Sequence, residues 1–183
     1  GGRYLGEVTS TVESMVTLGR KIKEISPETF IVVSPHCELF LKYFGVVTQE
    51  RIEGNFREFG APRVRLEFEI DTTLTQRIID SARESDLPVR EILDVYLDHG
   101  AMVPLYYLTR DLDYKLRLVL ISFSLLPLEK IYSFGKLIDS VAEENVVFVA
   151  SGDMSHRLLP GAPNGYDPMG KIFDQAVVEI VKS

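Results

Sequence analysis

The chain has 183 residues, a formal net charge of −7 and a single cysteine. That length suffices for one domain with a sizeable core, and the acidic balance argues against a nucleic-acid partner, which usually needs a basic face. One cysteine excludes an internal disulfide and any paired-cysteine site and fits a reducing, cytoplasmic setting; no apolar run approaches the roughly 20 residues of a membrane span.

From Tyr4 to Ile25 the apolar residues Leu5, Val8, Val12, Met15, Leu18, Ile22 and Ile25 recur at steps of three and four. That spacing predicts an amphipathic helix, which Ser26-Pro27 ends. Thr29 to Ser34 is short, β-rich and free of charge, so it reads as a buried strand broken by Pro35-His36. Residues 45–69 hold three looser runs, Gly45 to Thr48, Arg51 to Phe56 and Val64 to Glu69. The last alternates strictly, as a half-exposed strand does. Asp71-Thr72-Thr73 offers N-caps for a helix to about Arg83. Asp86-Leu87-Pro88 turns into a short strand, Val89 to Leu93.

His99 to Leu108 predicts a helix that tolerates Pro104 in its first turns. Leu116 to Ile121 is the next strand. Pro127 opens a helix with Ile131, Phe134, Ile138 and Val141 on one face. Asn145 to Ala150 is the last clear strand. A Gly/Pro-rich loop, Pro160 to Pro168, leads into a final helix expected to bury Ile172, Phe173, Ala176, Val177 and Ile180. Alternating helices and buried strands imply a layered α/β domain, a sandwich around a mixed, largely parallel sheet flanked by helices.

Three apolar strands run straight into small or polar residues: Val32 to His36, Leu120 to Ser124, and Val149 to His156. In open α/β sheets ligands bind outside the carboxyl ends of the strands. His36 and His156 fall where that rule puts a site, and His99 follows an acid and precedes a glycine. Three histidines at element ends point to one active-site cleft, because imidazole suits metal ligation and proton transfer near neutrality. Asp153 is read either as the residue that orients His156 or as a helix N-cap, and Asp98 in the same two ways. Ser34, Gly100, Ser151 and Gly152 are the candidate substrate contacts. Cys37, next to His36, points to the opposite side of an extended backbone and reads as a buried, inert thiol. Residues 161–166 are open between a lid and an ordinary connection.

Taken together, Ser34-Pro35-His36, Leu97-Asp98-His99-Gly100-Ala101-Met102-Val103-Pro104-Leu105 and Ala150-Ser151-Gly152-Asp153-Met154-Ser155-His156 resemble a known set. They are similar to motifs of the catalytic-subunit family of class III extradiol ring-cleavage dioxygenases, above all its AmmeMemoRadiSam-system, Memo-like branch. The stretches Phe59 to Pro62 and Pro160 to Tyr166 share that resemblance. It implies an α/β sandwich and an Fe(II) held by two histidines and a glutamate. It implies His36 as a metal ligand, His156 as the acid/base near the substrate, with Asp153 beside it, and His99 as a further catalytic histidine.

The substrates implied are a small catecholic aromatic and O2. A 2-His-1-carboxylate face leaves open positions on iron for both. The family's first ligand, in a His-Pro-Pro segment, and its glutamate ligand find no counterpart in residues 1–183. The chain therefore reads as one extradiol-dioxygenase-like domain missing its first strand and its C-terminal segment. Rival readings are a non-catalytic Memo-like metal- or partner-binding protein and a Zn(II)-dependent hydrolase. A homodimer is open, since such folds often pair.

Overall fold

A computed structural model describes residues 6, 8–142 and 145–183 of the chain. They form two compact units, Gly1–Ser151 and Gly152–Ser183.

The first unit is built on a seven-stranded mixed sheet. In chain order its elements are α1 (Thr9–Ile25), β1 (Thr29–Ser34), β2 (Phe44–Val47), β3 (Arg51–Phe56), β4 (Ala61–Ile70), α2 (Thr72–Glu84), β5 (Val89–Ile92), α3 (His99–Thr109), β6 (Arg117–Ser122), α4 (Leu128–Val141) and β7 (Val146–Ala150). The expected start of the first helix, at Tyr4 and Leu5, lies outside the described residues. β1 pairs in parallel with β6 on one side and with β7 on the other. The opposite edge of β6 is shared. Its first residues pair in parallel with β4, and Ile121 near its end pairs antiparallel with Val46 of β2. β5 lies parallel to β2, and β3 and β4 form an antiparallel hairpin.

Period-two alternation divides the core between the two faces. Phe30 and Val32 of β1 and Leu118 and Leu120 of β6 pack on one side with Ile22 of α1 and Ala101, Met102 and Leu105 of α3. Ile31, Val119 and Ile121 face the other way, onto Ile78 and Ile79 of α2 and Phe134 and Ile138 of α4. Strands buried on both faces must be continuous apolar runs, which is what β1 and β6 are. The unit is thus the expected sandwich, a mixed, largely parallel sheet between two helical layers. No described helix is long and apolar enough to cross a membrane.

The second unit holds one helix, α5 (Pro168–Lys182), capped by Asp167, whose carboxylate accepts from the Met169 amide at 3.0 Å. The sequence placed Ile172, Phe173, Ala176, Val177 and Ile180 inside. Ile172, Phe173 and Ile180 are instead more than half exposed, and Gly170 is the one buried residue of the helix. Periodicity marks an apolar face and not what covers it. The amphipathic spacing was real, but no core came with it.

Candidate functional site

The carboxyl ends of β1 and β7 meet the first turn of α3. That helix begins at His99 because Asp98 caps it: carboxylate Oδ1 accepts from the Ala101 amide at 3.1 Å. The same oxygen accepts from the Ser34 hydroxyl at 2.6 Å. Ser34 is the last residue of β1 and fully buried. Its oxygen also accepts from the His36 amide at 3.3 Å. Asp98 Oδ2 is buried and takes no hydrogen bond from a described residue, a costly state for a carboxylate oxygen.

The turn that follows β1 brings the His36 ring to His99, with centroids 4.0 Å apart and planes inclined by 33°. On its other side His99 meets Phe59, at 5.2 Å and 59°. Phe59 ends a 3₁₀ turn, Arg57–Phe59, at the tip of the β3–β4 hairpin. Gly60 closes that turn at φ 74°, where a side chain would be strained. The three rings form one wall of a pocket of about 700 Å³. Asn55, Arg57, Glu58 and Tyr96 also line it. Asn55 spends its side-chain oxygen on the Arg57 amide at 3.0 Å, which pins the turn.

The structure therefore brings His36, His99, Asp98, Ser34 and Gly100 together. Ser151 joins them, its hydroxyl donating to the Gly100 carbonyl at 2.7 Å. Both expected serine contacts thus have hydroxyls already bonded to protein. Ser122 and Ser124, the polar ends of the third strand, serve the sheet instead. Ser122 accepts from the Gly45 amide at 3.1 Å, and Ser124 donates to the Phe40 carbonyl at 3.3 Å. The pocket residues at the hairpin tip carry no spacing signal, because only folding of β3 onto β4 delivers them. Phe59 had a hint, its place in the Phe59 to Pro62 stretch.

His156, Asp153 and Gly152 belong to the second unit. There His156 Nε2 stands 3.8 Å from Asp153 Oδ2, both exposed. No helix starts at Asp153, so of its two readings the N-cap is not realised. The histidine segment is tied to α5: the Ser155 amide donates to Asp174 at 2.8 Å, and Arg157 pairs with Asp167 at 3.3 Å. A Cβ added at Gly152 would meet nothing within 4 Å.

Cys37 is buried, and desolvation, helped by the charge of Asp98, pushes its thiol up to about 11. It is a protonated core residue at neutral pH, as its position after His36 suggested. Among the described residues no three of His, Cys, Asp and Glu are arranged to hold a metal ion. These residues alone thus do not fit a complete two-histidine, one-carboxylate centre.

Comparison with known proteins agrees with the motifs. Protein CA_C1420 of Clostridium acetobutylicum is 35% identical over 189 aligned residues, which cover 96% of this chain and 40% of that protein. The chain thus spans about two fifths of the length of the curated relative it matches. The family model of the catalytic LigB subunit of aromatic ring-opening dioxygenase matches residues 6–183. Since that match takes in nearly the whole chain, both helical layers and the three histidine motifs included, the protein belongs to the LigB family of ring-opening dioxygenase catalytic subunits.

Proposed function

We propose that this chain carries the substrate- and proton-handling residues of an extradiol dioxygenase acting on a small catecholic substrate and O2. The observation that supports this best is the His36–His99 pair, two imidazoles 4.0 Å apart on the wall of a pocket of about 700 Å³. Such a pocket accepts a single aromatic ring with room to spare. Phe59 offers it an apolar face. An imidazole within hydrogen-bond reach of a phenolic hydroxyl can take its proton and later return it. His99 is assigned to the substrate. His156 is assigned to proton transfer, on its Ser-Gly-Asp-x-Ser-His motif and its Asp153 neighbour.

Within the family we place the chain in the Memo-like branch, on the same motifs, and we read residues 1–183 as one domain of a cytoplasmic protein. Fe(II) is the proposed metal of the whole protein, with His36 as its ligand from this chain. No step is assigned to it, because the described residues do not complete its ligand set.

One alternative is a Memo-like protein that binds metal or a partner without ring cleavage. Oxygen uptake separates the two. The whole protein, loaded anaerobically with Fe(II), should consume O2 when given 1,2-dihydroxybenzene or a substituted relative and yield a yellow ring-opened product. Iron bound without O2 uptake across a catechol panel would overturn the dioxygenase reading and leave the alternative.

A further inference from the structure

Pro104 lies inside α3. Proline has no amide hydrogen, so it cannot bond the carbonyl four residues earlier. That carbonyl belongs to Gly100, and it is the one that accepts the Ser151 hydroxyl at 2.7 Å. Ser151 follows directly on β7, and its own amide continues the β1–β7 ladder by donating to the Val33 carbonyl at 3.1 Å. The bond that proline forfeits is thus replaced by one from the sheet. On the other side of the same turn, Asp98 receives the hydroxyl of Ser34 at the end of β1, at 2.6 Å. Two neighbouring parallel strands grip the one helical turn that carries His99.

Gly100 sits inside that grip. A Cβ there would lie 2.8 Å from Ser34 Oγ, 2.9 Å from His36 Cδ2 and 3.0 Å from Asp98 Oδ1. The His36 ring rests on bare backbone. Any larger residue would push it from the turn that holds its partner.

We propose that Ser34, Asp98, Gly100, Pro104 and Ser151 are positioning residues, a two-strand clamp that presets the His36–His99 pair. The clamp stands on geometry, while its value to catalysis rests on the ring-opening reading above. The serines act through the helix, because each hydroxyl proton is already committed to it. Misplacing a reacting group by about 1 Å costs up to roughly a hundredfold in rate, so a small slip of this turn is enough to matter.

The test uses the imidazole Cε1–Hε1 NMR signals of the whole protein. Two rings this close shift each other's resonances through their ring currents. Ser151→Ala should move the His36 and His99 signals and lower thermal stability. Adding Pro104→Ala restores an amide for the Gly100 carbonyl, so stability should return. The signals should stay displaced, because β7 is still untied. A purely structural role predicts that both recover together, and that result would overturn the clamp. Asp98 gives a second arm. Asp98→Asn keeps the shared acceptor and should leave both signals near their native positions, whereas Asp98→Ala should move them. Native signals in folded Asp98→Ala or Ser151→Ala protein would also overturn it. Turnover of 1,2-dihydroxybenzene is measured on the same variants, where a roughly tenfold loss in kcat at little change in KM is expected. Displaced signals with no catechol turned over by any form, native included, would leave the clamp standing and sink the ring-opening reading instead.

Discussion

The two ends of the same parallel strands are built to opposite rules. At the amino ends of β1 and β6 stands Asp71, a buried carboxylate with every bond it needs. Its Oδ1 accepts from the Leu74 amide at 3.0 Å, its Oδ2 from the Thr29 hydroxyl at 2.7 Å, and Arg117 lies 3.3 Å away. At the carboxyl ends stands Asp98, also a helix cap, also bonded to a strand hydroxyl, but with its second oxygen buried and without a bond from any described residue. Around it lie two exposed histidines and an open pocket. The Asp71 carboxylate is fully spent on its neighbours, as a structural carboxylate is. The other retains unspent polar capacity, which is the usual mark of a place that does chemistry.

Breaking the Asp71 end should give the largest stability loss. Asp71→Ala removes a cap, strands the buried Thr29 hydroxyl and leaves Arg117 with Glu28 alone, at about 3 kcal/mol. Urea unfolding would show this as a lower midpoint at unchanged slope, while the His36 and His99 NMR signals stay in place. A loss under about 1 kcal/mol would mean that this end is not the anchor it looks like. The open end should behave in reverse. His99→Ala in the whole protein should cut kcat/KM for a catechol about a hundredfold and change stability by no more than about 0.5 kcal/mol, because the ring is exposed. Equal damage to both properties by either substitution would erase the distinction between the ends.

How much of this could be read from sequence differs between the ends in the same way. β1 was legible to the residue, and the caps Asp71 and Asp98 stood among the candidates, because these are local features: an apolar run, or an acid three residues before the amide it serves. The mixed sheet followed from the looser alternation of residues 45–69 set against the apolar runs of β1 and β6. The site was legible in its histidines and not in its wiring. Ser151 to Gly100 spans 51 residues, and nothing in either motif says that Pro104 has freed a carbonyl for it. Arg57, Phe59 and Tyr96 enter the pocket only through the hairpin and the loop before α3. The final helix misled for a related reason. Periodicity reports that one face is apolar, and α5 has that face, but it does not report what lies opposite.

Cys37 sharpens the comparison, because it marks where the open end stops. Its neighbour His36 faces the pocket, while its own side chain belongs to the core. Burial first and Asp98 second raise its thiol from 9.0 to about 11. A thiol raised on folding ionises earlier in the unfolded chain. Stability is therefore unaffected by this group below about pH 9, falls as pH climbs from 9 towards 11, and levels off above that. The two-unit shift corresponds to at most about 3 kcal/mol. Other groups titrate in that range, so the measurement is a difference: the stability gap between native protein and Cys37→Ala should narrow between pH 8 and pH 11. Asp98→Asn removes the second cause and should shrink the narrowing. A gap independent of pH would mean that water reaches the thiol and that the open end extends past His36 into the core.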